Sequence, residues 1–226
     1  MIFPVSKLAL LTVISGVCGH AVVEDPPPRK TGPAHEAACG SAVVDVLESG
    51  KYIPDHLQGN SDKAVSDIAG PIENAVQETD ADYKCNAFLC RGYQFEDNTD
   101  NVQVLKAGEV LYFHINLIAG HHPGYAVSSC PLPAPLLEFN GLYSRKNVSI
   151  VNTATNEVIG EPLRSWDNWP DHLSGPPRDD IDYNVTIPDS LGSMCSQAGN
   201  CVIQWYWYAS GNEQTYESCH DFYVES

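Results

Sequence analysis

Apolar and polar residues alternate strictly through one segment in the middle of the chain. Over residues 110–118 the odd positions carry Leu, Phe, Ile and Leu, whereas Tyr, His and Asn stand between them. A period of two places the two sets on opposite faces, which predicts a β-strand buried on one side. Further strands are predicted at 102–105, 148–152, 183–187, 201–208 and 219–225. Such spacing is typical of an all-β fold, an antiparallel β-sandwich of the immunoglobulin or fibronectin kind.

The residues before this region follow a helical pattern instead. Residues 34–48 predict a helix that ends at Gly50, and two short helices are predicted at 62–69 and at 71–77. We interpret these helices as one long insertion in a loop of the sandwich. Neither an internal repeat nor a Ser/Thr/Pro-rich linker divides the chain, so residues 20–226 are predicted to form a single domain.

The first 19 residues have the pattern of a secretory leader. Lys7 precedes the apolar run Leu8–Ile14, and the small residues Val17 and Gly19 occupy the −3 and −1 positions of a cleavage site. Cleavage after Gly19 leaves 207 residues (226 − 19) and exposes His20 as the new N-terminus. We therefore expect a secreted, extracellular protein whose first residue carries both a free α-amine and an imidazole.

Net charge and hydropathy narrow the class of partner. The formal charge of −17 argues against nucleic acid and anionic membrane surfaces and suits a neutral, wall-associated ligand. After the leader, the sequence contains no apolar run of the roughly 18 residues that span a bilayer. The sequons at Asn147 and Asn184 agree with passage through a secretory pathway. We expect a monomeric glycoprotein.

The number of cysteines is odd once the leader is removed. Cys18 leaves with the leader and seven cysteines remain, an unusual number in an oxidising compartment. Residues 127–146, which contain Cys130, interrupt a continuous reading of Ala126 into Asn147. The codons GTAAGT and AAG can encode Val-Ser and Lys at the borders of this segment, and its twenty codons suit a small intron, so we interpret it as a retained intron. The alternative is a genuine Pro-rich surface loop.

Removing Cys130 leaves six cysteines, and their spacing predicts three disulfides. Cys85 with Cys90 and Cys195 with Cys201 are the pairs closest in sequence. Cys39 with Cys219 is the remaining pair. Such a bridge ties the helical insertion to the C-terminal strand.

Several residues combine into a candidate metal site. His20 offers two nitrogen ligands, and the loop after the strand at 110–118 offers His121 and His122. Adjacent side chains in extended backbone point to opposite sides, so only one of this pair reaches a metal. His122 is favoured because Gly124 gives it the His-x-Gly spacing. The remaining histidines at 35, 56, 114 and 172 are interpreted as surface or hydrogen-bonded residues.

The order of these motifs resembles that of the lytic polysaccharide monooxygenases, secreted copper enzymes also described as chitin-binding type 4 domains. The chain is most similar to their cellulose-active ascomycete members. The matching elements span most of residues 20–219. They are His20, the Pro26-Pro27-Pro28-Arg29 run, His122-Pro123-Gly124, the Cys-x-x-Gln-Trp strand at 201–205, and Gly-Asn-x-Gln-x-Tyr-x-x-Cys at 211–219.

The resemblance implies one copper ion bound by the amine and Nδ1 of His20, by Nε2 of His122 and axially by Tyr216. It implies that Gln214 donates a hydrogen bond to the bound oxygen species, with Gln204 as the other candidate. Without the resemblance, Tyr216 is read as a core aromatic residue, and Gln204 is equally well read as a buried amide satisfied by backbone.

The implied reaction is oxidation at C1 or C4 of β-1,4-linked polysaccharide, with crystalline cellulose favoured over chitin and a small reductant or redox partner supplying electrons. Trp166, Trp169 and Tyr125 are candidates for the binding face, although the tryptophans are equally compatible with the core. One alternative is a copper-binding protein without oxidative activity, but such relatives place an acidic residue near copper, so Tyr216 favours the enzyme. A simple carbohydrate-binding module is a further alternative.

Overall fold

The computed structural model describes residues 20–48, 72, 85–119, 145–167, 169, 178–209 and 214–225, and all structural statements concern these. They form an all-β sandwich with a small helical insertion, as the sequence predicts. The strands are β1 His20–Asp25, β2 Gln103–Leu105, β3 Val110–Ala119, β4 Arg145–Asn152, β5 Glu157–Val158, β6 Arg164–Trp166, β7 Asp182–Thr186, β8 Cys201–Ala209 and β9 Gln214–Val224. The helices are α1 Pro33–Cys39, α2 Ser41–Glu48 and α3 Arg178–Ile181.

The strands lie in two sheets. The smaller has the order β1-β3-β7, and the larger has the order β2-β9-β8-β4-β5, with β6 also paired to β4. All these pairs are antiparallel except β2 with β9, which is parallel. The expected antiparallel arrangement therefore fails at β2. The chain leaves this edge strand for β3 in the other sheet, so no hairpin sets its direction.

All six predicted strands are present, and three further strands were not predicted. β1, β5 and β6 are short or lie outside alternating runs. β9 begins at Gln214 rather than at residue 219, because the polar residues 214–218 continue the ladder with β8. The strand is polar on one face and still buried, which the alternation rule does not anticipate.

The predicted helix at 34–48 is divided into two. Gly40, at a φ of 93°, separates α1 from α2. Asp97 fixes the start of α1, because its carboxylate accepts hydrogen bonds from the backbone N–H groups of Ala34 and His35 at 2.9 and 2.8 Å. The predicted helices at 62–69 and 71–77 lie outside the described residues, apart from the helical Ile72. None of the described helices is long and apolar enough to cross a membrane.

The core between the sheets is rich in aromatic residues. Trp169 is fully buried there, with its ring edge-on to Trp207 at a centroid distance of 4.9 Å. Of the two interpretations left open for Trp169, the core is therefore confirmed and the binding face is not. Trp166 is half-buried, and its Nε1 donates to Asp180 Oδ1 at 2.7 Å. Tyr125 lies outside the described residues.

Two of the three predicted disulfides were wrong. The structure joins Cys39 to Cys85, Cys90 to Cys219, and Cys195 to Cys201, so only the last was predicted. Cys85 and Cys90 are close in sequence, but the chain turns between them. Cys85 packs against α1 and α2, whereas Cys90 packs on the outer side of the larger sheet.

Gly92 allows the chain to pass beside the first of these bridges. Its φ is 76°, and a Cβ there would lie 2.7 Å from the sulfurs of both Cys39 and Cys85. A larger residue would displace the disulfide, so the position requires glycine.

The segment 127–146, interpreted as a retained intron, ends inside β4. Residues 127–144, including Cys130, lie outside the described residues. Lys146 is 1% exposed in the core, where its Nζ lies 3.8 Å from the ring centroid of Trp166 and 4.3 Å from that of Trp169. Nζ donates to the carbonyl of Asp180 at 2.6 Å. Burial lowers the pKa of Lys146 well below its usual value.

Candidate metal centre

The first residue of β1 lies beside the last residue of β3 in the smaller sheet. His20, the first residue of β1, pairs with Ala119, the last residue of β3. His121 and His122 follow Ala119 closely in sequence but lie outside the described residues, as does the side chain of His20. Strand pairing therefore brings the residue predicted as the mature N-terminus beside the beginning of the histidine loop.

The other predicted ligand comes from the larger sheet. Val23 N–H donates to Ser218 Oγ at 3.2 Å, and farther along both segments His220 Nδ1 donates to the Pro27 carbonyl at 3.0 Å. Residue numbers thus rise in the same direction along β1 and β9. His20 consequently lies toward the end of β9 that carries Tyr216.

Tyr216 is fully buried on the inner face of the larger sheet. It is the register partner of Trp207, and the two rings are stacked, with centroids 4.8 Å apart and an interplanar angle of 25°. The core-aromatic interpretation is therefore correct for its ring. Gln214, two residues earlier, is the first residue of β9 and pairs with Ala209.

Gln204 is not brought to the same place. It pairs with Ser149 on one side and Cys219 on the other, one residue out of step with the inward-facing Trp205. Successive side chains of a strand point to opposite faces, so Gln204 faces the outer side of the sheet, away from Tyr216. It is 7% exposed, and its Nε2 has no hydrogen-bond partner among the residues that the structure describes. The interpretation of Gln204 as a buried amide is therefore confirmed, but the hydrogen bond expected at Nε2 is not formed within the described part of the chain.

A buried ion pair, missed in the sequence, holds the chain after β1 against β9. The Arg29 Nε and Nη2 groups each donate to one carboxylate oxygen of Asp221 at 2.7 Å, and both side chains are almost fully buried. Arg29 N–H also donates to the Cys219 carbonyl at 2.7 Å. An aspartate inside an apolar strand was the available signal. These bonds fix the alignment of β1 with Tyr216.

The histidines interpreted as ordinary residues have local partners where they are described. His114 Nδ1 lies 2.7 Å from Asp182 Oδ1, and His35 Nδ1 lies 2.9 Å from Thr31 Oγ1. Burial lowers the pKa of His35 to about 4 and lowers that of His220 as well. His56 and His172 lie outside the described residues.

The ligands that the sequence predicts for this end of the sandwich are histidine nitrogens and a phenol. Among the described residues, no group of three or more His, Cys, Asp or Glu side chains is arranged to hold a metal. The strand pairing brings His20 and the strand that leads to His121 and His122 to the same end, and β9 carries Tyr216 toward that end. Neutral imidazoles and amines suit copper.

Comparison with a protein-family model agrees with the resemblance seen in the sequence. Residues 20–222 match the family model described as "Lytic polysaccharide mono-oxygenase, cellulose-degrading". One similar solved structure is entitled "Crystal structure of a chitin binding domain from Burkholderia pseudomallei". It shares 13% sequence identity over 92% of this chain and 100% of that chain, with a TM-score of 0.38. None of the curated proteins compared with the chain matches it significantly.

Proposed function

This chain belongs to the lytic polysaccharide mono-oxygenase family, and from that premise we propose that it is a secreted, copper-dependent enzyme that oxidatively cleaves β-1,4-linked polysaccharide. The observation that carries the proposal is the alignment of β1 with β9. It directs His20 toward Tyr216 at the end where β3 leads into the histidine loop. Cellulose is the favoured substrate and chitin the second.

The residues proposed to hold copper are His20, through its amine and Nδ1, His122 through Nε2, and Tyr216 through its phenol. Copper, when bound, supplies the one-electron redox chemistry needed to oxidise a glycosidic carbon. A bidentate N-terminal histidine requires cleavage after Gly19. Secretion and activity are therefore coupled in this proposal.

The protein's own contribution is rigid positioning. Stacking on Trp207 fixes the Tyr216 ring, and the hydrogen bond of Val23 to Ser218 fixes the distance between β1 and β9. The buried pair of Arg29 and Asp221 prevents the two segments from sliding. Supports of this kind orient metal ligands and tune their basicity.

Gln214 is proposed to donate a hydrogen bond to the oxidant when copper is bound. It lies two residues before Tyr216 at the start of β9. Gln204 is less suited to that role, because strand alternation directs it to the outer face of the sheet. A small reductant or a partner reductase is proposed to supply electrons, and a crystalline polysaccharide surface to be the substrate.

Copper titration of two N-termini tests the proposal. Protein beginning at His20 should bind Cu(II) tightly, whereas protein with one additional N-terminal glycine should bind orders of magnitude more weakly, because the chelating amine is lost. Binding should also weaken below about pH 6, since protons compete for imidazole and amine nitrogens. Equal affinity of the two forms would refute the proposed ligand set.

Product analysis separates the enzyme from a binding protein. With copper, a reductant and peroxide, the mature protein should release oxidised oligosaccharides from cellulose and fewer from chitin. Tight copper binding without oxidised product would instead identify a non-catalytic copper protein. His122→Ala should abolish the EPR signature of a three-nitrogen copper site, while His121→Ala should retain it. The reverse result would exchange the two roles.

A further inference from the structure

The outer face of the smaller sheet carries a glycosylation sequon beside an exposed aromatic ring. Asn184 is exposed on β7, the edge strand of the described sheet, and Thr186 completes the sequon. The register partner of Asn184 on β3 is Tyr112, which is 44% exposed. Val110, opposite Thr186, is 59% exposed. Asn184 is thus bordered by two of the most exposed large apolar side chains in the described structure.

The ring of Tyr112 is held in a fixed orientation. Its hydroxyl donates to Asp182 Oδ1 at 2.5 Å, and the same oxygen lies 2.7 Å from His114 Nδ1. A tethered ring loses little conformational freedom when a second group packs on it. Partners on the next strand in direct register have Cβ atoms about 5 Å apart, within reach of a sugar attached to Asn184.

The second sequon has the opposite surroundings. Asn147 lies on β4, a central strand, between Tyr206 on β8 and Ser165 on β6. It is half-buried, and its Oδ1 accepts a hydrogen bond from Ser149 Oγ at 3.2 Å. Ser149, the third sequon residue, is 1% exposed. An oligosaccharide on Asn147 would have to leave a half-buried position whose side-chain oxygen is already hydrogen-bonded.

We propose that Asn184 carries an N-linked oligosaccharide whose first N-acetylglucosamine packs on Tyr112 and Val110, and that Asn147 is unmodified in the folded protein. The inference rests on the secretion that is part of the proposed function. Asn184 Nδ2 loses a proton and bonds to C1 of a lipid-pyrophosphate-linked oligosaccharide. The bond from C1 to the phosphate oxygen breaks, and the lipid pyrophosphate leaves.

A glycan on Asn184 would also prevent the outer face of the smaller sheet from binding the substrate. It would cover the apolar patch formed by Val110 and Tyr112, which otherwise exposes hydrophobic surface on a secreted protein. A flat crystalline polysaccharide would then be unable to approach this sheet. The proposed substrate face is thereby confined to other surfaces of the sandwich.

Site occupancy tests the first part of the proposal. The chain is produced in a fungal secretory host with a well-characterised leader replacing residues 1–19, so that entry into the pathway does not depend on its own leader. Peptide-N-glycosidase in heavy-oxygen water, followed by peptide mass spectrometry, should label residue 184 and leave residue 147 unlabelled. Asn184→Gln and Thr186→Ala should each lose one glycan, and Asn147→Gln should lose none.

Labelling at residue 147, or an unlabelled residue 184 in the exported protein, would overturn the assignment. A separate chain with its own residues 1–19 tests the proposed secretion. Export failure in that chain alone would count against the leader and not against the glycan. The two proposals therefore fail by different measurements.

Thermal unfolding tests the packing on Tyr112. Removing the glycan by Asn184→Gln should lower the midpoint by about 2–4 °C, the shift that a modest packing interaction gives in a domain of this size. Most of that loss should remain in a Tyr112→Phe background, which keeps the ring without its tether, and the loss should vanish in a Tyr112→Ala background. An equal loss in the Ala background would overturn the packing contact.

Discussion

The two faces of the β8–β9 ribbon are both buried, but different chemistry buries them. On the inner face, Trp205, Trp207 and Tyr216 pack against one another and against the smaller sheet. On the outer face, Cys219 and Asp221 are buried beneath the segment around residues 85–101 and the chain after β1. The inner face relies on apolar area, and the outer face relies on specific pairs.

This difference predicts how each face responds to change. Apolar packing is non-directional, so loss of one inner contact is shared among many neighbours. A buried ion pair or hydrogen bond depends on one specific partner, because removing that partner leaves the other group desolvated and unpaired. The outer face should therefore be the more sensitive to single polar substitutions. Its pair of Arg29 and Asp221 also holds the chain after β1 against β9.

The largest effect should come from the disulfide that joins the segment around residues 85–101, which covers the outer face, to the β8–β9 ribbon. Cys90 and Cys219 are separated by 129 residues. Replacing both by alanine should lower the free energy of unfolding by about 4–5 kcal/mol, since a long loop regains its entropy in the unfolded chain. Replacing Cys195 and Cys201, separated by 6 residues, should cost roughly half as much. Denaturant titration measures both, and a reversed order would contradict the chain-entropy explanation.

Breaking the outer ion pair on one side should have the next largest effect. Asp221→Asn leaves the buried Arg29 guanidinium uncompensated and should cost about 3–5 kcal/mol. The double variant Arg29→Met with Asp221→Leu should recover much of that loss. If the single and double variants are equally unstable, packing volume and not charge decides this face.

Lys146 departs from the apolar character of the inner face, because it places a buried amine among aromatic rings. Joining Ala126 directly to Asn147 deletes residues 127–146 and places Ala126 at the position in β4 that Lys146 occupies in the full chain. The shortened chain should be more stable by about 1–3 kcal/mol and should contain no free thiol. Lys146→Met in the full chain is the matched control.

The pH dependence of that comparison has a defined sign. The folded state lowers the pKa of Lys146, so the unfolded chain binds the extra proton below about pH 10. The stability gap between Lys146→Met and the full chain should shrink as pH rises toward 10. A gap that is independent of pH would show that Lys146 is protonated in the fold.

Equal stability and activity of the shortened and full chains would indicate that residues 127–146 belong to the protein.

The smallest effect should be the loss of stability at acid pH that comes from the buried His35 in α1. The pKa of His35 is lowered to about 4, so its contribution to stability is complete above pH 6.5 and is lost as the pH falls toward 4. The loss is at most about 1.4 kcal/mol per pH unit for one such group. Thermal unfolding from pH 7 to pH 4 should show it, and His35→Gln should flatten the curve. An unchanged slope in His35→Gln would assign the acid sensitivity to other groups such as His220.

Much of the sandwich follows from residue order alone. Alternation identifies β3 and β7, because a half-buried strand must place apolar residues at every second position. The motifs containing His20, His122 and Tyr216 indicate the family, and the family model agrees. These are local signals, carried by a few adjacent residues.

Pairing between distant segments is what only the tertiary structure decided. The sequence does not show that Cys90 joins Cys219, that Arg29 meets Asp221, or that Lys146 lies among tryptophans. It also does not show that Gln204 and Tyr216 face opposite sides of one ribbon. Each depends on strand register and on which layer covers which face. Register is fixed only when the two sheets pack, because a shift of one residue exchanges the buried and exposed faces of a strand.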